Sequence, residues 1–207
     1  PHISINNFTV KYDLCEDSIT INYALDVSNA NIIEENLSLL LINDLNNNNL
    51  YDIGDEIINI TLTSFDTLSQ NVSYSYTFNN SVIDVSTNSL CHFILLIDST
   101  NSCSCNSSFA STNMEIIGGY SSYNTTTCNP IEISTCGDKN KFSFNWTDPT
   151  NQGLQNFLNS QLNQTTSFTP PTTNNSSTDY LFLIQSQHQT CIGYDTVLVS
   201  VDPAIGP

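Results

Sequence analysis

The strongest constraint on this chain is a period-two alternation of apolar and polar residues that recurs along it. "SITINYALDVS" alternates Ile19, Ile21, Tyr23 and Leu25; "EIINITLTSF" alternates Ile58, Ile60 and Leu62; "NVSYSYTF" alternates Val72, Tyr74 and Tyr76. Successive side chains of a strand point to opposite faces, so these segments are expected as half-buried antiparallel strands. The continuous apolar runs "LSLLLIND" and "CHFILLID" read as strands covered on both faces, in the middle of a sandwich. "KFSFNW", "YLFLIQSQ" and "DTVLVSVD" repeat the signal. Helical spacing is found in "GLQNFLNSQL", through Leu154, Phe157, Leu158 and Leu162, and predicts one short helix at most. In "PHISINNFTV" the phase slips at Asn6-Asn7, between Ile5 and Phe8. A bulge in an edge strand explains the slip, and so does a strand donated to a neighbouring subunit.

Turn-rich stretches divide the strands into two groups, and "GGYSSYNTTT", Gly118 to Thr127, is the expected boundary. The expected fold is therefore all-β: two immunoglobulin-like antiparallel β-sandwich domains in series, residues 1–118 and 119–207, each within the size of such a sandwich. The last residues, "VDPAIGP", read as a Pro-Gly linker, and with Pro1 at the other end they suit head-to-tail repetition in a longer fibre.

Charge narrows the function classes. Twenty acids stand against Lys11, Lys139 and Lys141 with no arginine, for a formal net charge of −17. Phosphate neutralisation requires cations that are missing, so nucleic acid is excluded as a partner and anionic membrane surface is disfavoured. No run of 18 apolar residues is present, so no membrane insertion is expected; without a start methionine or signal peptide, the chain reads as mature or as a segment of a longer one. Solubility comes from Asn, Ser and Thr, over a third of the residues. Seven cysteines beside so few charges point to an oxidising, extracellular location at the cell surface, and the odd count leaves one thiol unpaired or intermolecular.

Self-repulsion at this charge favours divalent cations, and one loop has the oxygens to hold one. In "DLNNNNLYDIGDE", counted from Asp44, position 3 is Asn46, position 5 Asn48, position 7 Leu50 through its carbonyl, position 9 Asp52 and position 12 Asp55, with Glu56 beside it. Calcium takes six to eight hard oxygens on a tight loop, and this spacing returns side chains to one centre as in an EF-hand-type loop, without the flanking helices. Asn49 stands at position 6, where glycine is usual; asparagine enters the left-handed region more readily than most residues. The opposing reading is a plain Asn-rich hairpin loop.

The second half, "FSFNWTDP" and then "FTPPTTNNSSTDYLFLIQSQHQTCIGYDTVLVSVDP", resembles the Ig-like and PKD-like repeats of very large cell-surface adhesin or filament proteins from gliding bacteria that use type 9 secretion. The resemblance rests on Phe144, Trp146, Pro149, the Thr172 to Thr178 stretch, Tyr180, Cys191, Asp195, Thr196, Val197, Val199, Val201 and Pro203. Ile184 and Gln185 depart from the usual Val-Thr-Val strand, and a helix-like insert separates Pro149 from Phe168. The first half is similar to surface-protein repeats with a D-x-N-x-N calcium loop between strands. The family implies a cell-surface structural role and O-glycosylation at Asp, Ser/Thr, aliphatic or small triplets, of which four occur, with acceptors Ser18, Thr67, Ser99 and Thr196. N-x-S/T sequons include Asn7, Asn36, Asn59, Asn71, Asn106, Asn124, Asn145 and Asn163, as expected by accident in so Asn-rich a chain.

Cys136, Trp146 and Cys191 follow the Cys, Trp, Cys order of an immunoglobulin core, and their strand-end positions suggest a bridge closing one end of the sandwich. Cys15 is expected to pair with Cys103 or Cys105, the other of which can reach Cys128 and leave Cys91 a buried thiol; connectivity stays open. Zinc at Cys103-x-Cys105 with His92 lacks the paired knuckle of structural zinc sites. No G-x-S-x-G, HExxH or glycine-rich phosphate loop is present, and Glu34-Glu35 with Asp13, Glu16 and Asp17 read as solvated turn acids, so no enzyme is expected. The function expected is a structural subunit or repeat segment of an extracellular filament or adhesin, stiffened by calcium and disulfides, with neighbouring repeats, identical subunits or surface glycans as partners. Two alternatives stand: a carbohydrate-binding module, stacking sugar on Trp146 or on Tyr74, Tyr76, Tyr120 and Tyr123, and a fibre subunit that donates residues 1 to 10.

Overall fold

The computed structural model describes residues 2–28, 37–58, 72–79, 91–99, 109–171 and 176–203. In chain order the strands are β1 (His2–Asp13), β2 (Ser18–Ser28), β3 (Leu37–Asn43), β4 (Glu56–Ile58), β5 (Val72–Asn79), β6 (His92–Ser99), β7 (Phe109–Thr126), β8 (Ile131–Ser134), β9 (Ser143–Thr147), β10 (Thr165–Phe168), β11 (Thr178–His188) and β12 (Cys191–Asp202). The fold is all-β, and no helix among the described residues is long and apolar enough to cross a membrane. Two compact units are formed, one from Pro1–Tyr12 with Ser18–Glu115 and the other from Asp13–Asp17 with Ile116–Pro207.

In the first unit neighbouring strands run β4-β3-β6-β7-β1-β2-β5. Alternation places Ile19, Ile21, Tyr23 and Leu25 of β2 inward, none more than 2% exposed, and β2 pairs antiparallel with β5 from Ser18↔Asn79 to Leu25↔Val72. The continuous run in β6 is buried on both faces, with Phe93, Ile94 and Leu95 all 0% exposed, and β6 is a central strand that pairs along its edges with β3 and β7. The phase slip in β1 is a bulge, with Asn6 and Asn7 exposed between buried Ile5 and Phe8 and Asn7 at φ 54°. It is not an edge bulge, however. β1 lies between β7 and β2, so the residues considered for donation are already paired within their own chain.

The second unit is an immunoglobulin-like sandwich by strand order. β9, β11 and β12 are neighbours and antiparallel, as strands C, F and G are, while β8 and β10 pair as B and E do. The far half of β7 runs parallel to β12, from Ile116↔Gly193 to Thr126↔Asp202. Trp146, on the strand-C position, is 1% exposed and meets Phe182 edge-on at 6.0 Å. Phe168 of the two-stranded sheet meets Phe182 at 5.2 Å, so the core lies between the two sheets.

Two sequence readings change here. Residues 118–126 are not a turn but the second half of β7, an 18-residue strand. Gly118 and Gly119 are there because neighbours come too close for a side chain: a Cβ on Gly118 would lie 2.0 Å from the Tyr194 carbonyl oxygen, and one on Gly119 would lie 2.5 Å from Cys15 Sγ. "GLQNFLNSQL" contributes only a 3-10 turn, Leu154–Phe157. Leu158 is already extended and bridges Phe168, so the apolar residues spaced as on a helix do not share a helical face.

Candidate metal centre

Residues 44–55 leave β3 and return towards β4 as a loop tied together by its own side chains. Asp44 stands at its root, 1% exposed. The backbone N–H groups of Asn48 and Asn49 donate to Asp44 Oδ1 (3.3 Å) and Oδ2 (2.8 Å). Asn46 Oδ1 accepts from Asn48 N–H (3.1 Å), and Asn48 Oδ1 accepts from Leu50 N–H (2.7 Å). The amide groups of Asn46 and Asn48 converge on the Asp52 carboxylate, at 3.0 Å and 2.8 Å from Oδ2. Asp55 accepts from Leu45 N–H (3.1 Å) and Asp52 N–H (3.0 Å). Glu56 begins β4, opposite Asn43, and Leu50 is over half exposed. Asn47 and Asn49 occupy the left-handed region, at φ 55° and 65°, which lets the chain curl around these oxygens without glycine.

The charge at the root is well compensated. Burial pushes the Asp44 carboxyl up, but the Asn49 and Asn48 N–H groups, with the His92 ring, outweigh it and hold the group below its ordinary value. His92 Nδ1 lies 2.9 Å from Asp44 Oδ2, and both side chains are buried. Ser111 Oγ on β7 donates to Asn49 Oδ1 (2.9 Å), so β6 and β7 both anchor the loop. The sequence weighs His92 only beside Cys103-x-Cys105, and its partner in the structure, Asp44, stands 48 residues earlier.

The loop gathers carboxylates and amides, the side-chain types that suit a hard cation such as calcium and not zinc; here the Asn46 and Asn48 amide nitrogens face Asp52 while their oxygens accept from backbone N–H groups, so both amides would turn to ligate an ion. Among the described residues no group of three or more His, Cys, Asp or Glu forms a metal cluster. Asp44, Asn46, Asn48 and Asp52 are brought together, and the amides stand where further carboxylates would otherwise have to meet.

The cysteines differ from expectation. Cys15 is bonded to Cys136, with Cα atoms 4.9 Å apart, and Cys91 and Cys191 are also disulfide-bonded. Cys136 cannot take Cys191: its N–H donates to Asp195 Oδ2 (3.0 Å), and Cys191 stands four residues along the same extended strand, ~13 Å away. Cys128 is a free, exposed thiol. Cys103 and Cys105 lie outside the described residues, as do Thr67, Glu34 and Glu35. Ser18 is buried at the start of β2, Ser99 ends β6, and Thr196 is half-exposed in the middle of β12. Asp13 caps its turn, accepting from Cys15 and Glu16 N–H, and Asp17 lies 3.5 Å from Lys141.

Two further carboxylates are buried, Asp195, which the sequence offers only through the resemblance and its Asp-Thr-Val triplet, and Asp148. Asp195 is 0% exposed and accepts from Cys136 N–H, Thr196 N–H and the Thr135 hydroxyl, joining β12 to the end of β8. Burial raises Asp148, but donors from Thr150, Leu154 and Gln152 hold it below its ordinary value, and it organises the turn after β9. Asp195 sits at the inward phase of β12, and Asp148 continues the inward phase of β9 one residue past its end.

No family model and no curated protein matches the chain. Solved structures similar to it include the PKD domain of human KIAA0319 (22% identity, 44% of this chain and 83% of that one, TM-score 0.31). Others are an I-band fragment of titin (8% identity, 96% of this chain and 65% of that one, TM-score 0.33) and the mouse nectin-like molecule 4 ectodomain (7% identity, 99% and 65%, TM-score 0.33). The chain spans 65% of the length of the last two. TM-scores this low carry no argument, and the immunoglobulin-like assignment rests on the strand order of the second unit.

Proposed function

We propose that the chain is a structural segment of an extracellular bacterial surface filament or adhesin, with its first unit stiffened by calcium at the 44–55 loop. The carrying observation is the convergence of Asn46 and Asn48 on Asp52 beside buried Asp44. Asp44, Asn46, Asn48, Asp52, Asp55 and the Leu50 carbonyl would hold the ion, with Glu56 adjacent. Bound calcium supplies positive charge among carboxylates that otherwise repel one another. The residues themselves fix the path between β3 and β4: Asp44 holds the root through His92, and Asp52 gathers the tip. The Cys15–Cys136 bond supports an oxidising compartment. Head-to-tail neighbours, glycans at Thr196 or Ser99, and secretion to the cell surface belong to the same reading.

Thermal unfolding with calcium and with chelator tests it. Calcium at a hundredfold excess over Kd adds about 2.7 kcal/mol, roughly 10–20 °C for a unit of this size. Asp52→Ala is the informative variant, because Asp44 also serves His92 and costs stability without any ion. Asp52→Ala should abolish the calcium-dependent shift and leave the melting temperature in chelator nearly unchanged. A wild-type melting temperature indifferent to calcium overturns the calcium reading.

A further inference from the structure

The outer face of the β9-β11-β12-β7 sheet in the second unit has a chemistry that the structural reading does not use. Along β12 the buried set is Cys191, Gly193, Asp195, Val197, Val199 and Val201, so Ile192, Tyr194, Thr196 and Leu198 face outward. Tyr194 is 55% exposed and stands opposite Ile117 on β7; Tyr120, 63% exposed, stands opposite Thr196. The two tyrosines occupy adjacent strands about two residues apart, placing their Cα atoms about 8 Å from one another. Around them lie uncharged hydrogen-bonding side chains: Gln185 opposite Tyr194, Asn145 opposite Gln185, and Ser122 opposite Leu198. Leu183 and Leu181, half-buried beside Thr196 and Leu198, complete the floor. The charged residues in the outward phase are Asp179, whose carboxylate accepts from Ser200 Oγ (2.6 Å), Asp202, which accepts from Ser177 Oγ (2.6 Å), and Glu115, two residues before Ile117 on β7 and paired with Lys11 (3.3 Å).

We propose that this face binds a neutral polysaccharide where Thr196 carries no glycan, with Tyr194 and Tyr120 stacking on the apolar faces of pyranose rings and Asn145 and Gln185 hydrogen-bonding their hydroxyls. Tyrosine offers a flat apolar body with a polar tip, and ring hydroxyls ask for donors and acceptors without charge. A polyanion meets carboxylates at Asp179, Asp202 and Glu115, the last of which already holds Lys11, and a net charge of −17 around them. A protein interface of ordinary affinity buries about 800 Å² per side around an apolar core, whereas here the apolar Ile117, Ile192, Leu181, Leu183 and Leu198 and the two rings are interleaved with Gln185, Asn145, Thr196 and Ser122. The other aromatic candidates are occupied: Trp146 is in the core, Tyr74 and Tyr76 stack on Tyr23, and the Tyr123 hydroxyl is bonded at Ser134. The site is independent of the 44–55 loop, so it can fail without affecting the calcium reading.

Affinity gel electrophoresis of the full chain, prepared free of glycan as checked by intact mass, tests the proposal with hydroxyethyl cellulose, xylan and glucomannan as neutral probes and alginate as the anionic one. The expected result is retardation by at least one neutral polymer. Tyr194→Ala and Tyr120→Ala should each weaken it about tenfold, Tyr194→Phe should retain most of it, and thermal unfolding should stay unchanged in all three. No retardation in any neutral polymer overturns the proposal, as does binding confined to alginate or binding unaffected by the double Tyr→Ala variant. Concentration-dependent dimerisation in sedimentation that the double variant abolishes would also overturn it, by assigning the face to a second copy.

Discussion

Removing the Cys15–Cys136 disulfide is the perturbation whose magnitude follows most directly from the fold. Both cysteines belong to the second unit, yet 121 residues of sequence separate them, because Ser18–Glu115 of the first unit lies between Asp17 and Ile116. Cross-linking restricts the unfolded chain by an amount that grows with the logarithm of the loop it closes. If the whole chain unfolds, the loop gives about 5 kcal/mol; if the first unit stays folded and spans its own stretch, about 24 residues remain and the figure is about 3.5 kcal/mol. Other cross-links at Cys91 and Cys191 change this little, since halving a loop alters the cost by about 0.6 kcal/mol. Trp146 is the single tryptophan and lies in the core of the second unit, so its fluorescence reports that unit alone. Cys15→Ser with Cys136→Ser, unfolded in urea, should lower the midpoint by about 1–3 M for a slope near 2 kcal/mol/M. A loss below about 1 kcal/mol with an unchanged slope would refute the reasoning, because the bond would then not constrain the chain as its topology requires.

Two further outcomes are expected. Asp44 and Asp148 are both held below the ordinary 3.8, so their stabilisation is present above that value and is lost as pH falls through the lower folded values; Asp44→Asn should flatten the acid limb of first-unit unfolding, measured by circular dichroism in chelator, and an unchanged limb counts against the assigned donors. Gly118→Ala drives a methyl group against the Tyr194 carbonyl, backbone against backbone, and should destabilise the second unit by about 3 kcal/mol or more, read by Trp146 fluorescence; a loss under about 1 kcal/mol would mean β7 and β12 are not so closely paired.

Strand positions were legible because alternation is a local property, and β2 and β12 bury the side chains their phase predicts. Glycine was not. Gly118-Gly119 signals only that no Cβ is tolerated, and sequence does not say whether a turn or a neighbour forbids it; here Tyr194 and Cys15, 76 and 104 residues away in numbering, do so. Cysteine pairing failed for the same reason, since Cys15 meets Cys136 only because the short segment Asp13–Asp17 folds into the second unit, 121 residues away in numbering. In the candidate metal loop the Asn and Asp spacing was readable, including the left-handed Asn49, while His92 and Ser111 were not, because they reach the loop across strands. Tyr194 was readable in principle. It falls in the opposite phase to Cys191, Gly193 and Asp195, but the apolar run after it drew attention to the core.

Parity along β12 also decides how substitutions there should be interpreted. Asp195 and Val197 point inward with 0% exposure, so changes at either alter folding and, through folding, everything else. Tyr194 and Thr196, one residue away in each direction from Asp195, point outward and touch no core residue on that account. A loss of binding in Tyr194→Ala with intact thermal unfolding therefore isolates recognition from stability. The same loss in Asp195→Ala would not, because Cys136, Thr135 and Thr196 donors would be left buried without their acceptor. One strand thus carries the sandwich on its buried, odd-numbered face and the proposed glycan contacts on the other, and the two roles separate experimentally because the pleat separates them physically.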